Sequence, residues 1–356
     1  MLWQFFQFSM RILFLGENWY GSCARACCYA LRRLGHSVLD IDLQTFFPQV
    51  RKIHNRLLLR LWQGQLVREY NAAVLHSAVR FQPDILLAFK GNLLQAATLR
   101  QIKNRGVSLY NYYPDTSAFA HGKWLPESLP EYDCIFSTKQ FLEQDLRKQI
   151  AVKNVVFLPH GYDTDVHRAI KSSDPAETGY VCDVGVIATH TAYKEQVLSQ
   201  LVSTFPQIDL HIWGNQWEKC QSEKLKPFIK GKPLLGVSYA QTISSFRINL
   251  AVMSGKVSGA TKGDTTTTRT YEIPACGGFM LHERSDELAE FFEEGKEVAC
   301  FENSTEAAEK IHYYLRHEDE RKAIAQAGYN RCVPAYSYDN RMSEIVRYHA
   351  SHNGLF

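Results

Sequence analysis

Residues 11–42 read RILFLGENWYGSCARACCYALRRLGHSVLDID, and their pattern decides the fold. RILFLG (11–16) is a short apolar run of strand character. In the following GSCARACCYALRRLGH, residues Cys23, Ala26, Cys27, Ala30, Leu31 and Leu34 fall on one helical stripe. VLDID (38–42) resumes as a strand, so the segment is a βαβ unit, and strands alternating with helices predict a parallel, doubly wound sheet. Working outward, DILLAFK from 84, VSLYNYY from 107, YDCIFST from 132 and NVVFLPHG from 154 keep the same rhythm. Residues 10–165 therefore read as one Rossmann-like domain. RAIKSSDPAETG (168–179) is polar, contains Pro and Gly and has no apolar period, which marks a linker over 166–179.

A second series follows: YVCDVGVIA from 180, IDLHIWG from 208, INLAVM from 248, GFMLHE from 278 and EVACFE from 297. It predicts a second Rossmann-like domain over 180–335. YSYDNRMSEIVRYH (336–349) has helical spacing and predicts a C-terminal helix over 336–356 that packs across the junction. The expected fold class is α/β, with two Rossmann-like domains facing each other across a cleft.

Composition narrows the function. The 356 residues are 45% hydrophobic, enough for two cores at about 150 residues per domain. A net charge of +3 lacks the basic footprint of a general nucleic-acid binder, so no nucleic-acid partner is expected. The nine cysteines include no CxxC pair, which suits reduced thiols in a cytoplasmic protein, and Cys23, Cys27 and Cys28 read as helix packing rather than as a metal cluster. The opening MLWQFFQFS is apolar, has no basic flank and is far shorter than the ~20 residues of a membrane span. Either Met10 is the true start, or this leader docks on a membrane or on the core. RKIHNRLLLRLWQGQLVREY (51–70) sets basic residues among Leu and Trp. It is either an ordinary surface helix or a basic amphipathic helix in peripheral contact with an anionic membrane or acceptor.

In an open parallel sheet, ligands gather at the carboxyl ends of the strands. GENWYG (Gly16 to Gly21) lies at such an end but is not GxGxxG, so dinucleotide binding of the usual kind is not expected and Asp40 and Asp42 read as surface acids. TKGDTTTTRTYEIPACGGFMLHE (261–283) is more specific. Thr265 to Thr268 have N-cap chemistry and start a short helix, and its amides, the hydroxyls and Arg269 form a diphosphate cradle. Glu272, one turn on, suits the two ribose hydroxyls of a nucleotide. Pro274, Gly277 and Gly278 then end the helix and turn it into the next strand. The alternative is a polar Thr loop with Glu272 as a capping or salt-bridging acid. VGVIATHTAYKEQ (184–196) is the first strand-to-helix turn of the second domain. There Gly185 lets backbone approach a ligand, and Lys194 either reaches a phosphate or stays on the surface. WGN (213–215) is a similar turn, near the base. YNYYPDTSAFAHGKW (110–124) follows a first-domain strand and offers Asp115 and His121 to orient an acceptor hydroxyl. His190, His211 and His282 stand singly and read as structural, and no spacing suits a metal.

RTYEIPACGGFMLHE (269–283), followed by SDELAEFFEEGKEVACFEN, STEAAEKIHYYLRH and AGYNRCVPAYSYDNR, resembles the C-terminal domain of the group 1 GT-B glycosyltransferases, most closely their CgeB-like branch. The resemblance is strong over residues 245–340 and only architectural over the first domain. It implies an enzyme that moves a sugar from a nucleotide diphosphate to an acceptor glycan, lipid or protein with retention, without a metal or other cofactor. Glu272 matches the glutamate that holds the donor ribose and Arg269 an arginine assigned to phosphate, with Thr268 and Lys262 beside it. Gly277 and Gly278 match the glycine turn. Asp264 stands where the superfamily has a first glutamate near the transferred sugar, a departure that shortens its reach by about one carbon–carbon bond. FLPHGYDTDVH (157–167) is similar to the P-x-G-x-D hinge, which makes His160 and Gly161 candidates, as Gly16 is on the first strand. A sugar-nucleotide epimerase or hydrolase of the same fold, and a catalytically silent binding protein, are the rival readings.

Overall fold

The computed structural model describes residues 9–47, 53–170, 181–231 and 233–354, with side chains from residue 62 onward in the helix that starts at Ile53. The apolar leader 1–8 and most of the 166–179 linker lie outside these residues, as do the side chains of the first part of the basic 51–70 stretch, on which the membrane-contact reading falls. The chain divides into two compact units: Met1–Pro159 with Val257–Thr261 and Asp339–Phe356, and His160–Lys256 with Lys262–Tyr338.

The first unit runs β1 (Arg11–Gly16), α1 (Cys23–Arg33), β2 (Ser37–Asp42), α2 (Leu43–Phe46), α3 (Ile53–Phe81), β3 (Ile85–Phe89), α4 (Ala96–Lys103), β4 (Ser108–Tyr113), α5 (Trp124–Ser128), β5 (Cys134–Ser137), α6 (Leu142–Ile150) and β6 (Val155–Phe157). Its described strands form one parallel sheet in the order β2-β1-β3-β4-β5-β6. Ser22 caps α1, its hydroxyl accepting from the amides of Ala24 and Arg25. The small residues predicted on this helix let it close on the sheet: a Cβ at Gly16 would stand 2.8 Å from that of Ala24.

The second unit continues with β7 (Cys182–Ile187), α7 (Ala192–Thr204), β8 (Leu210–Trp213), β9 (Ile229–Gly231), α8 (Val237–Ser244), β10 (Phe246–Ala251), α9 (Arg269–Ala275), β11 (Met280–Glu283), α10 (Asp286–Ala289), β12 (Ala299–Phe301), α11 (Ser304–Arg316) and α12 (Glu318–Cys332). Its described strands form a second parallel sheet in the order β12-β11-β10-β7-β8-β9. Val184, Val186, Ile248 and Leu250 bury one face of that sheet among the apolar residues of α7 and α11, while Ile243, Tyr271 and Ile273 build a core from α8 and α9. β9 is the strand the sequence does not signal: it has three residues, two of them exposed, and lies at the sheet edge.

The change of unit falls between Pro159 and His160, a few residues before the predicted boundary. Tyr162 exchanges backbone hydrogen bonds with Tyr336 and Tyr338, and a Cβ on Gly161 would meet Tyr336 O and Tyr338 N at 2.9 Å. His160 is buried with its Nδ1 3.5 Å from the Tyr338 hydroxyl. Gly161 and His160 thus serve this backbone junction. The final helix, α13 (Tyr338–His352), belongs to the first unit from Asp339 on. There the hydroxyl of Tyr110 meets His349 Nδ1 at 3.1 Å, and Arg33 pairs with Asp339 at 2.7 Å.

Candidate functional site

A doubly wound sheet leaves its central strand first to one side and later to the other, and a crevice opens outside the carboxyl ends of the two strands at that switch point. In the second sheet these strands are β7 and β10. Across the switch point Lys194 Nζ donates to Ser254 Oγ at 2.6 Å. Lys194 sits in the first turn of α7, which Thr191 caps, and Ser254 lies three residues beyond the end of β10. α9 delivers Arg269, whose Nη2 donates to the carbonyl of Val252 at 2.7 Å.

Both cations are buried, Lys194 3% exposed and Arg269 8% exposed. Neither forms an ion pair among the described residues, and Nη1 of Arg269 is buried with no hydrogen-bond partner there. Buried charges are normally paired, because desolvation costs several kcal/mol per ion. Here burial, and after it the charge of Arg269, brings the Lys194 ammonium down to about 7, against the opposing pull of Asp264 and Glu283. Burial lowers Arg269 as well. Two buried cations without a counter-charge in contact make a site that an anion stabilises.

The sign of the pH effect follows. The unfolded chain keeps the ordinary lysine value of 10.5, and the folded protein holds Lys194 near 7. Between those values the unfolded state binds more protons, so stability from this residue rises with pH from about 7 to about 10.5 and is absent below about 7. Lys194→Met is expected to flatten that rise in thermal unfolding followed against pH. An identical slope in both proteins would show that Lys194 is not the depressed cation.

One turn along α9, Glu272 accepts from the hydroxyl of Tyr239 at 2.6 Å, and its other oxygen lies 3.8 Å from His167 Nε2. Nδ1 of His167 accepts the amide of Asp163 at 3.0 Å, so the neutral ring carries its proton on Nε2, toward Glu272. Burial, then Glu272, pushes the Tyr239 hydroxyl far above its usual value and keeps it a donor. Beneath Arg269, Thr270 Oγ1 meets His282 Nε2 at 2.9 Å, and burial holds His282 down to about 4 and hence neutral. Glu283 takes the hydroxyl of Tyr193 and the amide of Met253, the latter at 2.9 Å. Sequence reasoning missed Ser254, Tyr239, His167 and Glu283. Only the position of Glu283 at the end of an apolar strand was a usable signal.

Several expectations are corrected by these contacts. Thr265 and Thr266 donate to Glu287, Thr265 at 2.8 Å, and the Thr267 amide is capped by Thr270 Oγ1, so the first two hydroxyls anchor the loop, whereas Thr267 Oγ1 is buried with no hydrogen-bond partner among the described residues. Thr268 is the N-cap residue of α9 and makes no side-chain cap bond. Gly185 lies within β7, where a Cβ would stand 1.9 Å from the Phe246 ring, so it admits that ring and not a ligand. Gly277 and Gly278 follow the far end of α9, away from Arg269, and line a cavity of about 570 Å³ at the amino ends of β10 and β11. Pro274 sits inside α9 rather than ending it. Lys262 is exposed, whereas the amide of Asp264 donates to Ser254 O at 2.9 Å and so ties the two loops of the site. Trp213 stacks on Phe246 with ring centroids 5.8 Å apart.

In the first unit, one oxygen of Asp115 receives both Lys90 Nζ and His121 Nε2, each at 2.8 Å. Burial would raise its carboxyl, but the nearness of His121 and the charge of Lys90 outweigh it and hold the group well below the usual carboxylate range. Asp115 thus stands between Lys90 and His121 as their shared anion. Gly16 lines a separate cavity in this unit. Among the described residues, no group of three or more His, Cys, Asp or Glu is arranged to hold a metal ion, and no helix is long and apolar enough to cross a membrane.

Residues 192–347, which hold Lys194, Ser254, Arg269 and Glu272, match the family model described as glycosyl transferase-like. The spore protein CgeB of Bacillus subtilis (strain 168) is 22% identical over 291 residues, 76% of this chain and 84% of that protein. Sucrose-phosphate synthase from Thermosynechococcus elongatus superposes with a TM-score of 0.70 at 12% identity, covering 98% of this chain and 100% of that one. HepE of Anabaena in complex with UDP-glucose gives 0.67 at 14% identity, covering 96% and 100%. With the two doubly wound sheets and the Arg269–Glu272 helix at the switch point of the second, the chain has the GT-B fold of these solved structures, and its residues 192–347 are similar to the glycosyl transferase-like family.

Proposed function

We propose that the second unit binds a UDP-sugar and that the protein transfers the sugar to an acceptor with retention and without a metal. The observation that carries this reading is the buried pair of Lys194 and Arg269 at the β7/β10 switch point, each lacking an ionic partner among the described residues. A diphosphate supplies the missing charge. Glycosyl transfer builds negative charge on the leaving diphosphate, and preorganised cations in a desolvated site stabilise that charge without further reorganisation. Two such cations do there what a divalent ion does in other sites, which supports a metal-free reaction. The choice of UDP draws on the HepE complexes with UDP and UDP-glucose, and retention rests on the likeness of the 269–283 motif to its branch.

In this reading Glu272 accepts from the ribose hydroxyls through the oxygen that Tyr239 does not occupy, and Asp264, joined to Ser254, stands by the sugar. The free thiols of the cysteines fit a reducing compartment such as the cytoplasm.

Isothermal titration with UDP tests the site. Saturable binding that survives excess chelator is expected, with product from UDP-glucose only when an acceptor is present. Sugar release without acceptor would favour a hydrolase, and a folded protein that binds no nucleoside diphosphate would sink the reading. Glu272→Ala is expected to weaken UDP at least about tenfold, the worth of one charge-assisted hydrogen bond, while leaving pyrophosphate affinity within about twofold. Equal losses for both ligands would remove Glu272 from the ribose.

A further inference from the structure

The first sheet has its own switch point, between β1 and β3, and a cavity of about 220 Å³ opens there, lined by the turn after β1 and the turn after β3. Its walls are mostly apolar: Leu15, Trp19, Leu43, Tyr70, Phe89 and Leu93. For scale, a cavity of roughly 150 Å³ holds benzene, so this one accommodates a substituted six-membered ring. Three aromatic walls suit a flat ring, whereas a sugar asks for a denser set of polar partners.

The polar side chains on its lining are Glu17, Ser22, Lys90 and Asn92, and two of them are already engaged: the Glu17 carboxylate accepts from Trp19 Nε1 at 2.9 Å and the Ser22 hydroxyl donates to the Glu17 carbonyl at 2.7 Å. Asn92 lines the cavity, and its Oδ1 is buried without a hydrogen-bond partner among the described residues, so it lacks an O–H or N–H donor. Lys90 lines it too, from a left-handed backbone with φ +69°, a conformation non-glycine residues seldom adopt and one found preferentially at functional sites. That conformation is pinned from both sides: the Lys90 amide donates to Tyr112 O at 2.9 Å, and Asn111 Nδ2 donates to the Lys90 carbonyl at 3.1 Å. The result sets the ammonium 2.8 Å from Asp115, whose carboxylate also holds His121. Packing alone gives no reason to keep a strained lysine at the mouth of an apolar cavity.

We propose that this cavity receives the acceptor as a largely apolar ring bearing a hydroxyl, a phenol-type group, with Asn92 Oδ1 accepting from that hydroxyl and Lys90 as the positioning residue. The assignment rests on the glycosyltransferase reading, and the test separates the two. Ligand-observed NMR titration would compare 4-ethylphenol with methyl glucoside on the intact protein, with UDP titrated in parallel. Two variants serve: Leu43→Trp fills the cavity, and Lys90→Gly removes the amine while placing at φ +69° the residue that tolerates it best, so that the variant folds. Saturable phenol binding, weakened at least about tenfold in both variants while UDP affinity stays within about twofold of wild type, supports the proposal. With an acceptor phenol and UDP-glucose, Lys90→Gly raises the acceptor KM and leaves the donor KM unchanged. Saturable binding of methyl glucoside without the phenol, or phenol binding indifferent to both variants, overturns it. A wild-type protein that takes the phenol but not UDP overturns the transferase reading, and the acceptor assignment with it.

Discussion

Arg269→Ala loses UDP binding by at least about 100-fold, read by isothermal titration, while its melting temperature stays close to that of the wild type. The two halves of this expectation have one cause. Removing a cation from a desolvated phosphate site forfeits charge-assisted hydrogen bonds, and truncating one partner of a buried ionic contact costs about 3 kcal/mol or more, which is roughly 100-fold in affinity. In the protein without nucleotide, however, the guanidinium is a buried charge with no ion-pair partner among the described residues and only the Val252 carbonyl on Nη2. Deleting it leaves that carbonyl without its donor, at about 1 kcal/mol, and relieves the desolvation of the charge, so the net change in stability is small. Arg269→Lys is expected to fall between, because an ammonium keeps the charge and loses the planar fork. A variant that melts early and binds UDP normally would assign Arg269 to the core instead.

Gly185→Ala has the opposite signature: a large loss of stability, about 3 kcal/mol, with no specific loss of nucleotide affinity in the protein that folds. The added Cβ would stand 1.9 Å from Cδ2 and 2.0 Å from Cε2 of Phe246, far inside contact distance. The ring has little freedom to swing away, since it also stacks on Trp213 with the planes 27° apart. Overpacking in such a place costs about 1–3 kcal/mol, and the upper end applies where the ring is already held by a stacked neighbour. Combining Gly185→Ala with Phe246→Leu is expected to recover part of the loss in chemical denaturation, because the two residues share one volume and their effects do not add. No recovery in the double variant would mean that the strain lies in the β7 backbone itself.

These two positions show how far a sequence carries the argument. The helix that carries Arg269 and Glu272 was legible because its signals are local: a run of N-cap residues before it and a glycine turn after it. Gly185 was not, because a glycine in a strand-to-helix segment reads the same whether a ligand or a phenylalanine fills the space where its side chain would be. Thr265 and Thr266 were misread for a similar reason. Their hydroxyls donate to Glu287, an acid about 20 positions downstream whose nearness no local pattern announces.

Apolar periodicity and turn chemistry act over a few residues, so the alternation of strands and helices, the two doubly wound sheets and the helix that carries Arg269 and Glu272 could all be read along the chain. The strand orders, and with them the sites, emerge only in the folded chain. Placing β10 beside β7 brings Ser254 to Lys194 across 60 positions of chain, and placing β3 beside β1 opens the cavity that Lys90 faces. Which parallel strands become neighbours depends on crossover connections and on the packing of whole helices, which are non-local contacts. A buried cation without its counter-charge can be recognised only once those contacts have taken it out of water.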